Sequence, residues 1–193
     1  MPNPYLDYPG DYNLNKIEII TATGEVLPLR MGMIVELNVF EDIESSALTG
    51  SMVMIDSSNI ISNAPLQGNE RLVFKLSTPV SEYDERVAID ASQETGYPFH
   101  IYAIKKRVIQ SETLSSYNIQ FCSRELLRNT RTRVSRAYEG EVHQAAIKIL
   151  RDKNGLDSKK RLRYEPTKNK EKLVIPNMRP FRALDIVSKK ALS

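Results

Sequence analysis

Apolar and polar residues alternate with a period of two along much of the first two thirds of the chain. The pattern runs through residues 33–42 and 48–56, and it returns in residues 70–77, which follow a Gly-Asn turn. A period of two places successive side chains on opposite faces of a strand, as in a half-buried antiparallel sheet. These three segments are therefore predicted to be strands that pair in order as a meander.

Two further hairpins are predicted, one before and one after this meander. Residues 16–21 and 26–29 are joined by a Thr-Gly turn, and residues 99–110 and 114–123 are joined by a short polar turn. Between 78 and 98 the periodicity is lost and charged residues accumulate, which predicts a long insertion with one short strand inside it. The six or seven strands together predict an antiparallel β-barrel or β-sandwich.

The pattern changes beyond Arg124. Residues 141–153 carry apolar side chains at helical spacing, with acidic residues at the start, and this predicts a helix. Residues 157–172 are charged and irregular, and a second helix is predicted to open between Asn177 or Met178 and Pro180. Strands followed by helices predict the α+β fold class.

The chain is predicted to contain three parts. Three prolines within the first ten residues favour an extended N-terminal arm, assigned to residues 1–14. Residues 15–128 are predicted to form the β domain. Residues 129–193 are predicted to be the start of a mixed α/β domain that is incomplete in this sequence.

Short motifs follow one another along the chain in a particular order. They are Phe-Glu-Asp at 40–42, Ile-Asp-Ser at 55–57, Asn-Ile-Ile at 59–61, Gly-Asn-Glu at 68–70, Phe-His-Ile-Tyr-Ala-Ile at 99–104, Tyr-Asn-Ile-Gln-Phe-Cys-Ser at 117–123, Val-Ser-Arg-Ala-Tyr-Glu-Gly at 134–140, Ile-Pro-Asn at 175–177 and Pro-Phe at 180–181. In this order, from about residue 15 onward, the chain resembles the N-terminal portion of the baseplate hub protein of contractile-tailed, T-even-like phages. The order of the motifs carries the resemblance, since each motif alone is a strand or a turn.

This resemblance implies a tube-like β domain and a structural role in the virion. It implies a central hub subunit of the baseplate that links the tail tube to the central spike and lines the DNA channel. The implied partners are copies of the same chain, as a trimer or alternatively a hexamer, together with the tail tube protein, the central spike protein and other baseplate proteins. DNA would be contacted only non-specifically, and the phage tail baseplate would be assembled in the host cytoplasm.

The edges of the predicted sheet are the expected contacts between subunits, because an unpaired strand edge must be paired or protected. The residues assigned to this interface are Val35, Leu37, Val39, Met52, Met54, Asp56, Asn59 and Glu70.

The charges are divided unevenly along the chain. Residues 1–90 contain 5 Lys and Arg against 14 Asp and Glu, whereas residues 91–193 contain 22 against 10, around a net charge of +3. Opposite charges on the two halves favour oriented association between copies, although the solvated faces of two unrelated modules explain the division equally well. The predicted basic surface comprises Arg124, Arg128, Arg131, Arg133, Arg136, Lys159, Lys160 and Arg161.

Two other functions fit the same features. Basic clusters, one of them beside Tyr164, are compatible with a basic single-stranded nucleic-acid-binding protein. A tube or spike component of another contractile injection system is the nearest structural alternative, because fold alone does not separate these machines.

The residue patterns argue against an enzyme. The two histidines, His100 and His143, lie in no nucleophile, metal or phosphate motif, and the single cysteine, Cys122, is predicted to be buried in a strand. Neither a catalytic residue, a cofactor nor a metal ion is predicted. Membrane insertion is not predicted either, since no apolar run approaches the length of about 18 residues that a spanning helix needs.

Overall fold

The computed structural model describes residues 12–57, 60, 66–77, 88–95, 97–111 and 114–192, without the side chains of Asn15 and Gln110. The contacts divide the chain into two units, Met1–Ser123 and Arg124–Ser193. The first eleven residues of the predicted arm and residues 78–87 of the predicted insertion lie outside the described residues.

Unit 1 contains eight strands among its described residues, and they form one antiparallel sheet in the order β2-β1-β5-β7-β8-β4-β3, with β6 paired to β5. The strands are β1 (Asn13–Ile20), β2 (Val26–Leu29), β3 (Ile34–Phe40), β4 (Thr49–Asp56), β5 (Arg71–Ser77), β6 (Ala88–Asp90), β7 (Phe99–Ser111) and β8 (Leu114–Cys122). Every strand predicted from the alternation of side chains is present in the sheet. A short 3-10 turn, Met31–Met33, precedes β3.

The predicted pairing of the three central strands is correct for one pair and wrong for the other. Strands β3 and β4 are antiparallel neighbours, as expected. However, β4 pairs with β8 over its whole length, from Thr49 opposite Cys122 to Asp56 opposite Ser115, and β5 lies on the far side of the β7–β8 hairpin. The alternation of side chains fixes which face of a strand is buried but not which strand lies beside it, so a hairpin from later in the chain could be inserted between β4 and β5.

Three phenylalanines form the centre of the core of unit 1. The rings of Phe74 and Phe99 stack at a centroid distance of 5.5 Å, and Phe121 lies 5.0 Å from Phe99 and 6.2 Å from Phe74. Phe121 also faces Gly50 across the β4–β8 ladder. A Cβ atom at Gly50 would approach the Phe121 ring and the Asn38 carbonyl oxygen to less than 3.0 Å, so this position requires glycine.

Unit 2 packs three helices and a two-stranded antiparallel sheet around a second core. Its elements are α1 (Arg124–Arg131), β9 (Val134–Glu141), α2 (Val142–Arg151), β10 (Lys170–Met178) and α3 (Pro180–Ser188). One face of α2 buries Val142, Ala145 and Ile149. The helix predicted over 141–153 is confirmed, and so is the α+β class. The helix predicted to open between residues 177 or 178 and 180 is also confirmed, and it begins at Pro180.

Candidate assembly surfaces

Strand β3 provides one free edge of the sheet in unit 1. Among the described residues it pairs with β4 alone. Its side chains include Val35, which is 61% exposed, and Phe40, which is 57% exposed. Beside the strand lies a largely apolar groove of about 410 Å³, whose walls include Tyr12, Leu14, Met31, Val35, Leu37 and Leu76.

The outer half of β7 provides a second free edge. Strand β7 pairs with β5 only at Phe99 and His100, whereas its pairing with β8 continues to Ser111. Beyond Ile101, the described part of unit 1 places no strand on the outer side of β7. The large apolar side chains exposed on this half are Tyr102, Ile104, Val108 and Ile109.

The irregular pairing of β7 explains why this half is exposed. The ladder between β7 and β8 shifts register three times, and Lys106 has a positive φ of 51° at one of these shifts. An extra residue at such a bulge interrupts the alternation of faces and increases the local twist. Consecutive charged and apolar side chains of β7 are therefore exposed to solvent together. Lysines on an edge strand also limit non-specific pairing with other strands.

The free edges on β3 and on the outer half of β7 carry opposite charges. Glu36 is exposed on β3, and Glu41 and Asp42 are exposed just after it. Lys105 and Lys106 are exposed on the outer half of β7. Because β3, β4, β8 and β7 are successive antiparallel neighbours, β3 and β7 run in opposite directions at the two sides of a four-stranded segment.

The structure separates the residues predicted for the subunit interface into two groups. Val35 is exposed, and Leu37 and Val39 are half-buried against the core cluster. Met52, Met54 and Asp56 are fully buried within the chain, as is Glu70 at 1% exposure, so these four side chains are not available to a neighbouring subunit. Asn59 lies outside the described residues.

Glu70 has a local role. Its carboxylate accepts hydrogen bonds from the backbone N–H groups of Gln67, at 2.6 Å, and Gly68, at 2.7 Å. The Gly-Asn-Glu motif is thus a turn that its own glutamate closes before β5 begins.

Two arginines of the predicted basic surface bind backbone carbonyls of one loop in unit 2. Arg124 donates to the carbonyl oxygen of Asp157 at 2.8 Å, and Arg128 donates to those of Gly155 and Lys153, both at 2.6 Å. They hold the loop that follows α2 and are half-buried there. Their charge therefore serves the fold, because charge-assisted bonds to carbonyls add to the turn hydrogen bonds within the loop, such as those from the Gly155 and Asp157 N–H groups to the Asp152 carbonyl.

Two lysines of the predicted surface are paired with acids in the same unit. Lys159 lies 2.7 Å from Asp157, and this contact, together with Arg124, lowers the pKa of Asp157 to about 2. Lys160 lies 3.5 Å from Glu125. Burial alone would raise the pKa of Glu125, but the charge of Lys160 and a hydrogen bond from the Ser158 hydroxyl outweigh it, so the pKa is lowered.

The remaining members of the predicted basic surface are Arg131, Arg133, Arg136 and Arg161, and all four are exposed.

The residues considered for catalysis have structural environments. Cys122 is fully buried, as predicted. The Nδ1 atom of His143 accepts a hydrogen bond from the backbone N–H of Thr167 at 3.1 Å, and its ring stacks on Tyr164. Within the described residues no three His, Cys, Asp or Glu side chains are grouped as a metal site would require.

The helices in the described part of the chain are too short or too polar to cross a membrane.

No known protein family matches this chain, and no curated protein matches it. Among solved structures, a tail protein from Neisseria meningitidis MC58 is similar over 92% of this chain and 45% of its own, with a TM-score of 0.54 and 11% identity. The chain therefore shares the fold of part of that protein.

A second solved structure is an Escherichia coli component of the type VI secretion system, itself described as structurally similar to two T4 bacteriophage tail proteins. It aligns with 95% of this chain and 40% of its own at 17% identity, and its TM-score of 0.41 is too low for an argument about a common fold. This chain spans less than half the length of either protein.

Proposed function

We propose that this protein is a structural subunit of a contractile injection apparatus, and specifically a central baseplate hub subunit that joins a tail tube to a spike. The proposal is supported by the fold shared with a tail protein over 92% of this chain and by the order of hub-like motifs in the sequence. The proposed role is mechanical and not catalytic. The proposed partners are copies of this chain, the tube, the spike and other baseplate proteins, around a channel through which DNA passes.

The observation that carries the proposal is the pair of free, oppositely charged edges on one sheet. Copies placed head to tail would set β7 of one copy beside β3 of the next as a further antiparallel pair, because β3 and β7 run in opposite directions. Such a contact uses two different surfaces, and contacts of this kind close into rings when the rotation between copies permits. A trimeric or hexameric ring is the proposed assembly.

A single contact of this kind should be weak. A contact that covers two of the exposed apolar side chains on each edge buries four in all, for example Val35 and Phe40 on β3 and Val108 and Ile109 on β7. Full burial of each contributes about 1.5–3 kcal/mol, whereas association costs about 4–15 kcal/mol in lost freedom of motion. Open dimers are therefore expected to be scarce and closed rings favoured, because in a ring every subunit is held at both edges.

The test is the mass of the purified chain by size-exclusion chromatography with light scattering, for the wild type and two blocked variants. Val35→Asp/Phe40→Asp blocks the β3 edge, and Val108→Asp/Ile109→Asp blocks the β7 edge. Each variant alone is expected to be monomeric, and an equimolar mixture should form dimers through the one intact pair of edges only at high concentration, because a single contact is weak. Val26→Asp is the matched control and should leave the ring intact, because Val26 is comparably exposed, at 47%, on β2, an edge strand of the same sheet that the proposed contact does not use.

A charge exchange tests the electrostatic part of the contact. Glu36→Lys and Lys105→Glu should each weaken the ring, and the two substitutions together should restore it. Raised salt should also loosen the wild-type ring, since exposed charges are screened beyond about 10 Å at 0.1 M ionic strength. A wild-type chain that stays monomeric at high concentration, or a ring that survives both blocked edges, would overturn this assembly.

A further inference from the structure

The segment from the end of α2 to the first residue of β10 presents cations that unit 2 does not neutralise. Arg161, Arg163, Lys168 and Lys170 are exposed. In the described part of the chain, none of these four lies within ion-pair distance of an acid, in contrast to Lys159 and Lys160 in the same segment. Their positive charge is thus available to an external anion.

An exposed aromatic ring lies among these cations. Tyr164 is 54% exposed, and its ring stacks on the ring of His143 at a centroid distance of 5.4 Å and an interplanar angle of 21°. The His143 side chain is only 9% exposed. Tyr164 is therefore supported from one side while much of its surface remains in solvent.

The supporting histidine is itself fixed. Its Nδ1 atom accepts the backbone N–H of Thr167 at 3.1 Å, and its Nε2 atom lies 3.0 Å from the amide of Gln144 and 3.4 Å from Glu141. A backbone N–H can only donate, so Nδ1 is the acceptor, and the contacts of the two ring nitrogens together hold the imidazole in one orientation. A ring held in place before binding loses little conformational freedom when a ligand stacks on it.

We propose that Tyr164, Arg161 and Arg163 form a binding site for single-stranded nucleic acid. A base would stack on the exposed surface of Tyr164, and the two guanidinium groups would contact the adjoining phosphates. An unpaired base is required because a base within a duplex has its faces covered by its neighbours. Proteins that bind single strands without sequence preference combine an aromatic ring that stacks on a base with cations that contact the phosphates of the nucleic acid.

This inference goes beyond the assembly role, because both assembly edges are in unit 1 and the proposed site is in unit 2. The mass measurement tests the assembly and the binding measurement tests the nucleic-acid site, so either proposal can fail while the other holds. Binding to an acidic protein surface is the competing explanation of the same cations, but it does not require a supported aromatic ring.

The test is fluorescence anisotropy of a fluorescein-labelled oligothymidylate of about 15 nucleotides, within the usual site sizes for single strands. The full chain is expected to bind at low salt, with an affinity that falls steeply as salt is added. Tyr164→Ala should weaken binding about tenfold without changing the salt dependence, and Tyr164→Phe should retain the affinity. Tyr12→Ala, at an exposed tyrosine in unit 1, is the matched control and should have no effect.

Arg161→Ala and Arg163→Ala provide variants that leave the stacked rings in place. Each should reduce the slope of log affinity against log salt by about 0.7, the value expected for one phosphate contact on a single strand. Circular dichroism of every variant checks that unit 2 is folded. Absence of binding at low salt, equal affinity of Tyr164→Ala and wild type, or equally effective competition by polyglutamate would each overturn the proposal.

Discussion

Substitution of Gly50 by alanine should destabilise unit 1 more than its small change in volume suggests. The added Cβ would meet the ring of Phe121 on one side and the carbonyl oxygen of Asn38 on the other. The Phe121 ring can make room only by leaving the core. The Asn38 carbonyl oxygen belongs to β3, which is paired to β4 at this point. Both responses disturb the sheet.

The size of the effect follows from these contacts. Overpacking of a core costs about 1–3 kcal/mol. Displacement of Phe121 also disturbs its contacts with Phe74 and Phe99, and each aromatic pair is worth about 0.5–1.5 kcal/mol. The expected loss is therefore about 2–6 kcal/mol, a large part of the roughly 5–15 kcal/mol by which a domain is usually stable.

The measurement is urea unfolding followed by far-ultraviolet circular dichroism and tyrosine fluorescence, since the chain has nine tyrosines and no tryptophan. Gly50→Ala should lower the urea concentration at which half of unit 1 is unfolded. Adding Phe121→Leu to this variant should recover part of the lost stability, because the smaller side chain makes room for the new methyl group. Gly32→Ala is the matched control, because nothing lies within 4 Å of a Cβ at Gly32. A midpoint for Gly50→Ala equal to that of the control would refute the packing argument.

Three further predictions concern the loop of unit 2 and the buried thiol. Arg128→Ala should destabilise unit 2 by about 2 kcal/mol in urea, because a charge-assisted bond to the buried Gly155 carbonyl is lost, while the exposed Arg131→Ala should change little. Since the folded pKa of Asp157 is lowered to about 2, its stabilisation is complete above about pH 4 and should be lost as pH falls from 4 to 2, which acid titration by circular dichroism measures. Cys122 should react with a thiol reagent only at the rate of unfolding, because it is fully buried; immediate labelling would contradict its placement.

The strands of unit 1 could be predicted because each has one buried face. In β4 and β8 the burial alternates residue by residue, which is the period read from the sequence. The neighbours of each strand could not be predicted in the same way, since pairing depends on contacts between distant segments. For this reason the position of β8 beside β4 was missed.

Helix α1 was also missed, and its composition explains why. Its buried residues are Glu125 and Asn129, four positions apart on one face, so the helix has no apolar stripe at its buried positions. Glu125 accepts a hydrogen bond from Ser158, and Asn129 accepts one from the backbone N–H of Phe181 at 2.9 Å. The latter satisfies a donor in the first turn of α3, where Arg179 supplies no side-chain cap. Only the folded unit shows that these polar groups face inward.

The proposed assembly edges overlap the residues predicted for the interface only in part, for similar reasons. Alternation in β3 pointed to an edge that includes the exposed Val35, but the same alternation drew the buried Met52 and Met54 into the prediction, because a period of two does not distinguish an edge strand from a central one. The outer half of β7 was recognised as a strand and not as an edge. Its three register shifts break the period, and the sequence has no separate signal for a bulge at Lys106.

The arginines show that the number of cations in a segment does not give the charge available to a partner. Arg124 and Arg128 donate to loop carbonyls within unit 2, so they add little to an external surface, whereas Arg161 and Arg163 make no comparable contact in the described residues. If sequence charge alone determined anion binding, alanine at Arg128 and at Arg161 would reduce the salt dependence of oligonucleotide binding equally. The structure instead predicts that the first substitution lowers stability and the second lowers binding. Measurement of both properties on both variants separates cations that hold the fold from cations that can bind a ligand.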